Sequence, residues 1–172
     1  MSPEEPQKPK RLVIKKASER DLCSVYVILE RYYGSLMRNG EDFCRNHYSK
    51  NIQEMVAKND SRILLCDGEP IATFTLCESP LGDIAKSWDT QKALYLEGYG
   101  FLPVMRNEKR ENLLCSNIER IALAKGHDIL RVAALDRIAE FYKNQGYDHV
   151  NKRLLESGHN FILLEKRLGE AE

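Results

Sequence analysis

The stretch that decides the fold runs from residue 101 to residue 147 and reads FLPVMRNEKRENLLCSNIERIALAKGHDILRVAALDRIAEFYKNQGY. After the end of a strand it predicts a helix over about 108–125, because apolar residues recur every three or four positions until Gly126 stops the pattern. A buried strand over 129–135 and a shorter helix over 136–145 follow. This order predicts that strands and helices alternate around one sheet.

Before residue 101 the sequence predicts further strands and helices. They are, in order, a strand over 11–16, a helix that Ser18 caps and Asn39-Gly40 ends, a helix over 41–58, strands over 62–66, 71–77 and 93–104, and a polar loop over 79–91. Asp67-Gly68 predicts a hairpin turn between two of the strands. Gly98 and Gly100 interrupt the strand over 93–104, which indicates either a structural bulge or a close approach of the backbone to a ligand.

Two more strands, over 147–154 and 161–168, follow the stretch and are joined across Ser157-Gly158. The complete order predicts an α+β fold, in which a central mixed sheet of about seven strands is flanked by about four helices. Its length predicts a single domain over 11–172. Residues 1–10 contain three prolines and several charges, so they predict a disordered tail.

Charge and composition exclude several classes of protein. The chain of 172 residues carries 26 basic and 26 acidic side chains, so its formal net charge is zero. General nucleic-acid binding and electrostatic membrane attachment both require an excess of basic residues, and neither is expected. The five cysteines lie among apolar residues, and neither they nor the four histidines show metal-ligand spacing. We expect an intracellular protein, cytoplasmic or nuclear, with reduced thiols and no metal.

The stretch from residue 101 to 147 resembles the GNAT superfamily of acyl-CoA N-acyltransferases. The family's pattern runs from a V-x-P at a strand end, through R/Q-x-x-G-x-G/A and a helix, to an aromatic-Tyr pair and a Gly-aromatic pair. The positions that match without a gap are Phe101, Pro103, Arg106, Leu114, Ile118, Ala122, Gly126, Leu130, Val132, Ala139, Phe141, Tyr142, Gly146 and Tyr147. The most specific fragment is FYKNQGY, and the predicted element order extends the resemblance over almost the whole chain.

The chain departs from the family at the loop that binds phosphates. Lys109 and Glu111 stand where the pattern has glycines, Asn107 stands just before them, and only Arg106 keeps its place. A Cβ hinders close approach of the backbone to a pyrophosphate, and the Glu111 carboxylate repels it. The side chains of Arg106, Lys109 and Arg110 are an alternative means of holding phosphates. The other interpretation of this charged first turn is a solvated helix surface.

The resemblance also implies which residues hold the cofactor. Phe101, Arg106, Asn107, Lys109 and Arg110 lie on the positions that follow the central strand in this family. Asp136 stands where the family usually has an Asn at the start of the last helix. These six residues are the candidate acetyl-CoA contacts.

Acyl transfer from a thioester to an amine needs a base, a group that polarises the carbonyl, and an acid for the leaving thiolate. Tyr142 matches a family tyrosine near the sulfur of CoA and is the candidate acid; the alternative is a tyrosine packed on the sheet. Glu97 is the candidate base, since neighbouring apolar residues would raise its pKa, and the alternative is an outward-facing strand residue. Tyr32 and Tyr33 are candidate acceptor contacts, because the first two helices line the acceptor site in this family; the alternative is that they belong to the core and the helix surface.

Two functions fit the sequence. The first is an N-acetyltransferase that uses acetyl-CoA and acts on the amine of a small molecule or a peptide. The second is a catalytically inactive protein with the same fold, which has lost acetyl-CoA and binds a protein partner. Nucleic acid and membrane are expected partners of neither, and transfer from a charged tRNA gains no support from the zero net charge.

Overall fold

The computed structural model describes residues 10–81, 88–89, 91–156 and 159–169, with the backbone alone for 151–156. Its strands are β1 Leu12–Lys16, β2 Asp60–Cys66, β3 Glu69–Cys77, β4 Leu94–Phe101, β5 Ile129–Leu135, β6 Asp148–Glu156 and β7 His159–Arg167. Its α-helices are α1 Leu22–Leu36, α2 Gly40–Tyr48, α3 Ile52–Lys58, α4 Glu108–Ala124 and α5 Asp136–Asn144. The predicted tail and the predicted turn at Ser157-Gly158 lie outside, or almost entirely outside, the described residues.

All seven strands belong to one sheet, in the order β1-β2-β3-β4-β5-β7-β6. Every neighbouring pair is antiparallel except β4 and β5, which run parallel because α4 carries the chain back between them. The predicted α+β fold with a mixed sheet of seven strands is therefore confirmed.

The helices differ from the prediction in two places. The single helix expected over 41–58 is two helices, α2 and α3, so the described part of the chain has five α-helices instead of about four. At the break, the side chains of Ser49 and Asn51 donate hydrogen bonds to backbone carbonyl groups of α2 and so compete with the continuation of the helix. None of the described helices is long and apolar enough to cross a membrane.

Asn39-Gly40 was expected to end the first helix, but α1 already ends at Leu36. Asn39 adopts a left-handed backbone with φ of 102°, and Gly40 begins α2. The reason is close packing of the two helices, since a Cβ on Gly40 would overlap the backbone carbonyl group of Tyr33.

The helices cover the two faces of the sheet. A Cβ on Gly98 or Gly100 would point at Leu29 of α1, and the one on Gly98 also at Met55 of α3, so these helices pack on that face of β4. Helices α4 and α5 share the other face. They are joined there by Lys166 of β7, which donates hydrogen bonds to Glu119 of α4 and to the carbonyl group at the end of α5, both at 2.6 Å.

The cysteines are free thiols in the described structure. Cys44, Cys66, Cys77 and Cys115 are buried, as their apolar neighbours in the sequence indicate, whereas Cys23 is exposed on α1 despite such neighbours. Burial raises the pKa of Cys44, Cys77 and Cys115 to about 12, so these thiols stay protonated at neutral pH.

We expect Gly40→Ala to lower the free energy of unfolding by about 2 kcal/mol or more, because the new methyl group meets backbone that cannot move aside cheaply. Gly34→Ala is the matched control, since its Cβ would meet only the flexible side chain of Glu41, at 3.3 Å. Urea unfolding of both variants measures the difference. Equal stability of the two variants would contradict the close contact between α1 and α2.

Candidate functional site

The parallel strands β4 and β5 separate soon after they begin. Only two pairs join them, Leu94 with Leu130 and Tyr95 with Arg131. In the described sheet, the ladder between β4 and β5 ends after these two pairs. The opening lies at the carboxyl ends of the two strands, which is the edge where open sheets with parallel strands bind ligands. We call it the β4–β5 split.

A bulge in β4 lies beside the β4–β5 split. Thr73 and Thr75 of β3 are two positions apart, but their partners Gly100 and Glu97 are three positions apart, so β4 has one extra residue. Gly98 lies within it, with a positive φ of 53° that favours glycine. Such bulges re-aim backbone groups and occur often next to active sites. The sequence left open whether these glycines make a bulge, and the structure contains one.

Glu97, the candidate base, directly precedes this bulge and is half-buried. Its neighbours include the buried tyrosines Tyr33 and Tyr48, whose hydroxyl groups are 3.1 Å apart and hydrogen-bonded. Burial raises the pKa of both tyrosines, and the nearby negative charge of Glu97 raises it further. Tyr33 is therefore a buried neighbour of the candidate base, and its contact with an acceptor stays a prediction.

Tyr32, the other candidate acceptor contact, extends from α1 through the β4–β5 split. Its Cβ lies 3.4 Å from the position of a Cβ on Gly100, on the α1 side of the sheet. Its ring lies 6.0 Å from that of Tyr99, which points to the opposite side because adjacent strand residues alternate. The hydroxyl groups of Tyr32 and Tyr99 are both buried without a hydrogen-bond partner among the described residues. Buried hydroxyl groups usually have hydrogen-bond partners, so these two mark a place suited to a polar group of a ligand.

Tyr142, the candidate acid, belongs to an aromatic cluster on the α5 side. Its ring lies 6.0 Å from Tyr99, 5.1 Å from Phe141 and 5.4 Å from Tyr147. Burial raises the pKa of Tyr142 well above its usual value, so the phenol keeps its proton at neutral pH. Phe101 is fully buried beside Tyr99, so its side chain belongs to the core.

An ion pair lies across the mouth of the β4–β5 split. Arg106 Nε donates a hydrogen bond to Glu111 Oε1 at 2.5 Å, and only 9% of Glu111 is exposed. The guanidinium carbon of Arg106 lies 5.8 Å from the ring centres of both Tyr32 and Phe141. Burial lowers the pKa of Arg106, but the hydrogen bond and charge of Glu111 more than offset this and raise it. The Arg106 guanidinium thus contacts aromatic rings of both α1 and α5.

The other candidate phosphate contacts at the start of α4 point in different directions. Asn107 caps the helix, and its side chain accepts a hydrogen bond from the backbone N–H of Arg110 at 3.0 Å. The Arg110 guanidinium folds back and donates a hydrogen bond to the carbonyl group of Met105 at 2.6 Å. Lys109 is exposed. The structure therefore does not gather these side chains around one point, and their role in phosphate binding stays a prediction.

Of the cavities near the end of α1, two adjoin the ends of β4 and β5. One, of about 320 Å³, is bounded by the end of α1, the start of α5 and the start of β7, and Asp136 is part of its wall. The other, of about 490 Å³, lies between α1 and the segment that follows β4, where Pro103 and Val104 form its wall. The candidate residue Asp136 is thus placed in a cavity and not at the start of α4. Within the described residues, no group of His, Cys, Asp or Glu side chains is arranged to hold a metal ion.

Sequence reasoning missed Arg131, a buried arginine in the middle of the sheet that is 1% exposed. It donates hydrogen bonds to Glu165 of β7 at 2.9 Å, to Asp89 at 2.7 Å and to the Tyr95 hydroxyl at 3.3 Å. Trp88 covers it, with the guanidinium carbon 4.9 Å from the ring centre. A single arginine within the apolar strand ILRVAAL was the available signal, because a buried cation requires partners.

We expect the Arg106–Glu111 ion pair to show a coupling free energy of about 1 kcal/mol or more in a double-mutant cycle. Glu111→Leu leaves the half-buried guanidinium unpaired and should destabilise the protein, whereas adding Arg106→Met should restore much of the loss. Urea unfolding measures each variant. The exposed pair of Glu54 and Lys58, at 2.9 Å, is the control and should couple by about 0.5 kcal/mol or less. Coupling no larger than in this control would mean that the ion pair does not hold the mouth of the split.

No protein-family model matches the chain, and no curated protein matches it. Solved structures are similar over nearly its whole length. The GCN5-related N-acetyltransferase structure from Rhodopseudomonas palustris has a TM-score of 0.72 at 16% identity, over 91% of this chain and 95% of that chain. A GNAT-family acetyltransferase from Listeria monocytogenes has the same TM-score of 0.72 at 15% identity, over 91% and 95% of the two chains.

The PaiA N-acetyltransferase of Thermoplasma acidophilum, solved in complex with coenzyme A, has a TM-score of 0.67 at 18% identity. The match covers 91% of this chain and 99% of that chain. At these identities the likeness shows a shared fold. The chain therefore has the GNAT fold, the fold of these N-acetyltransferases.

Proposed function

We propose that the protein is an N-acyltransferase that moves an acyl group from acyl-CoA, with acetyl-CoA as the first donor to test, to an amine. The observation that carries the proposal is the bulge at Gly98 beside the β4–β5 split. The GNAT fold supports it, since the structural neighbours named above are acetyltransferases and one holds coenzyme A.

The β4–β5 split suits the pantetheine arm of CoA. The arm is an extended chain with two amide groups, and an extended chain can pair with the unpartnered backbone of a strand edge. A central strand that leaves its neighbour after two residue pairs and a glycine in the left-handed region both cost stability in a protein that only needs to fold. Binding of a ligand at this edge of the sheet explains why both features are present.

The groups at the bulge suit acyl transfer from the thioester that acyl-CoA supplies. Glu97 accepts a proton from the amine as the amine nitrogen attacks the carbonyl carbon of the thioester. A backbone N–H re-aimed by the bulge donates a hydrogen bond to the developing oxyanion. The C–N bond forms and the C–S bond breaks. Tyr142, which is protonated at neutral pH, donates a proton to the departing thiolate.

The start of α4 suits the pyrophosphate only after a local exchange of partners. Arg106 is bound to Glu111, and Asn107 already accepts the N–H of Arg110. For phosphate to enter, the Arg106 guanidinium must leave the carboxylate and take the phosphate in its place. Lys109 is exposed at the same turn and adds a second cation to this site.

A second function is favoured by the same ion pair. Tyr32, Arg106 and Glu111 occupy the β4–β5 split and its mouth in the structure as described. If this arrangement is permanent, acyl-CoA has no room, and the protein is an inactive member of the fold whose ligand is a protein partner.

Titration calorimetry with acetyl-CoA separates the two functions. We expect the wild type to bind acetyl-CoA, and Glu111→Gln to bind it about tenfold more tightly, because the change removes a repulsive charge and frees Arg106. Glu108→Gln is the matched control, since Glu108 lies in the same helical turn but is exposed, and its effect should be several-fold smaller. Absence of binding to the wild type and to Glu111→Gln at millimolar acetyl-CoA would falsify the acyltransferase proposal and leave the catalytically inactive protein as the alternative.

Once binding of acetyl-CoA is established, the release of free CoA thiol in the presence of amines measures the transfer of the acetyl group. We expect Glu97→Gln and Tyr142→Phe each to lower kcat by about tenfold or more with little change in the affinity for acetyl-CoA, since each removes a proton-transfer group but little binding surface. Thermal unfolding checks that both variants fold. Unchanged turnover in either variant removes that residue from the mechanism.

A further inference from the structure

We propose that the outer edge of β1 binds an extended acidic segment of another protein, which adds a strand to the sheet there. The site is a groove of about 280 Å³ between this edge and α4. We call it the edge groove, and it is bounded by Leu12, Ile14, Arg62, Leu64, Leu113, Asn117 and Arg120. Strands β2 and β3 separate it from β4, so its ligand is independent of the proposed function.

The backbone of β1 presents hydrogen-bonding groups to the edge groove. At Arg11 and Ala17, which flank β1, the main chain is hydrogen-bonded toward β2, and the register between the two strands is regular. Successive residues of an antiparallel strand direct their backbone groups to opposite sides. The residues at even positions therefore direct their N–H and carbonyl groups away from β2, and they are Leu12, Ile14 and Lys16. No other strand of the described sheet lies on that side.

Side chains give the edge groove two apolar walls. Leu12 and Ile14 are half-buried, and Leu64, the partner of Ile14 on β2, lies on the same face of the sheet. Leu113 of α4 forms the facing wall and is 36% exposed. A segment extended along β1 would place every second side chain between these walls and so cover apolar surface that is now exposed to water.

Helix α4 runs beside β1 in the same direction, which places its charges along the edge groove. Near the start of α4, a guanidinium nitrogen of Arg110 lies 3.9 Å from the sulfur of Cys66, which is the partner of Leu12. Near the end of α4, Lys125 forms an ion pair at 3.4 Å with Asp60, the first residue of β2. Arg110 thus lies at the end of the edge groove where β1 begins, and the last turns of α4 lie at the other end.

Unpaired cations mark that other end. Arg120 donates a hydrogen bond to the side chain of Asn117 at 2.8 Å, and Lys16 is exposed. Neither Arg120 nor Lys16 has a carboxylate of the described residues within ion-pair distance. The charge of Arg62 is already balanced, because its guanidinium donates a hydrogen bond to Asp60 at 2.9 Å. Two positive charges therefore remain for an acidic ligand.

These charges decide which occupant suits the edge groove. A second copy of the chain would bring its own β1, LVIKK, and its lysines would repel the cations already present. A nucleic acid has phosphates for the cations but no backbone N–H groups for the outward carbonyl groups of β1. An extended acidic segment of a protein supplies both carboxylates and backbone partners, which is recognition by strand addition.

The test uses the synthetic peptide ETVTVTE with both ends blocked. It is titrated into the isotope-labelled full chain while NMR shifts of backbone amides are followed. Along a strand, its glutamates and valines share one face, and we expect this face to enter the edge groove. We expect the amides of Leu12, Ile14 and Lys16 to shift. The peptide KTVTVTK should bind about tenfold more weakly, because its lysines meet like charges.

N-methylation tests the backbone pairing without a change of charge. In an antiparallel pair, residues that exchange hydrogen bonds have side chains on the same face, so the valine amides bond to β1 and the threonine amides face away from it. Methylation of both valine amides should weaken ETVTVTE by about tenfold or more. Methylation of two threonine amides is the matched control and should change the affinity by about twofold or less.

A charge reversal in the protein tests the cation. Arg120→Glu should weaken ETVTVTE by about tenfold, because an attraction becomes a repulsion. Arg31→Glu is the matched control, since Arg31 is an exposed arginine on α1, and the affinity should stay that of the wild type. Equal effects of the two substitutions, equal effects of the two methylations, or KTVTVTK binding as tightly as ETVTVTE would each overturn the proposal.

The other occupants give results of their own. Sedimentation of the wild type would show a dimer that Ile14→Lys dissociates if a second copy of the chain occupied the edge groove. A single-stranded DNA of seven nucleotides would bind more tightly than ETVTVTE, and would shift the same amides, if nucleic acid were the ligand. Either result overturns the acidic protein segment, whereas a monomer that prefers ETVTVTE supports it.

Discussion

The fold depends on a short junction in the middle of its sheet, where Arg131 clamps β4 to β5. Its guanidinium group reaches Tyr95 on β4, Glu165 on β7 and Asp89, under the cover of Trp88. These partners satisfy a cation that burial would otherwise make very costly. Because the strands are held at this end, they can separate at the other end without loss of the sheet, and this separation is the β4–β5 split.

An opening inside a sheet has to be filled, since protein interiors are close-packed. Here α1 supplies Tyr32, and the loop before α4 supplies Arg106 with its partner Glu111. Packing and ligand binding thus compete for one space. The buried hydroxyl groups of Tyr32 and Tyr99 have no hydrogen-bond partner among the described residues. A desolvated hydroxyl without a partner costs about 1–3 kcal/mol, so packing fills this space but leaves polar groups unsatisfied in it.

Local patterns were sufficient for most elements. The turn at Asp67-Gly68 has a positive φ at both residues, as its sequence predicts, and Gly126 adopts a positive φ just after α4. The break between α2 and α3 was missed, because apolar spacing continues across it while polar side chains bind the backbone. The pair of Arg106 and Glu111 was also missed, although both residues were singled out, because it depends on how the chain folds over Tyr32. Contacts between distant segments, such as Arg131 with Glu165, leave no periodic trace in a sequence.

The two residue pairs between β4 and β5 divide the sheet into two antiparallel halves. One half contains β1 to β4 and the other contains β5, β7 and β6, and each has continuous ladders of its own. A small rotation of one half against the other widens the β4–β5 split while every antiparallel ladder stays intact. The two pairs at the Arg131 junction are thus the pivot of such a rotation, which also has to displace contacts that cross the split, among them the hydrogen bond from Arg137 to the end of α1 and the ring contact of Tyr99 with Tyr142.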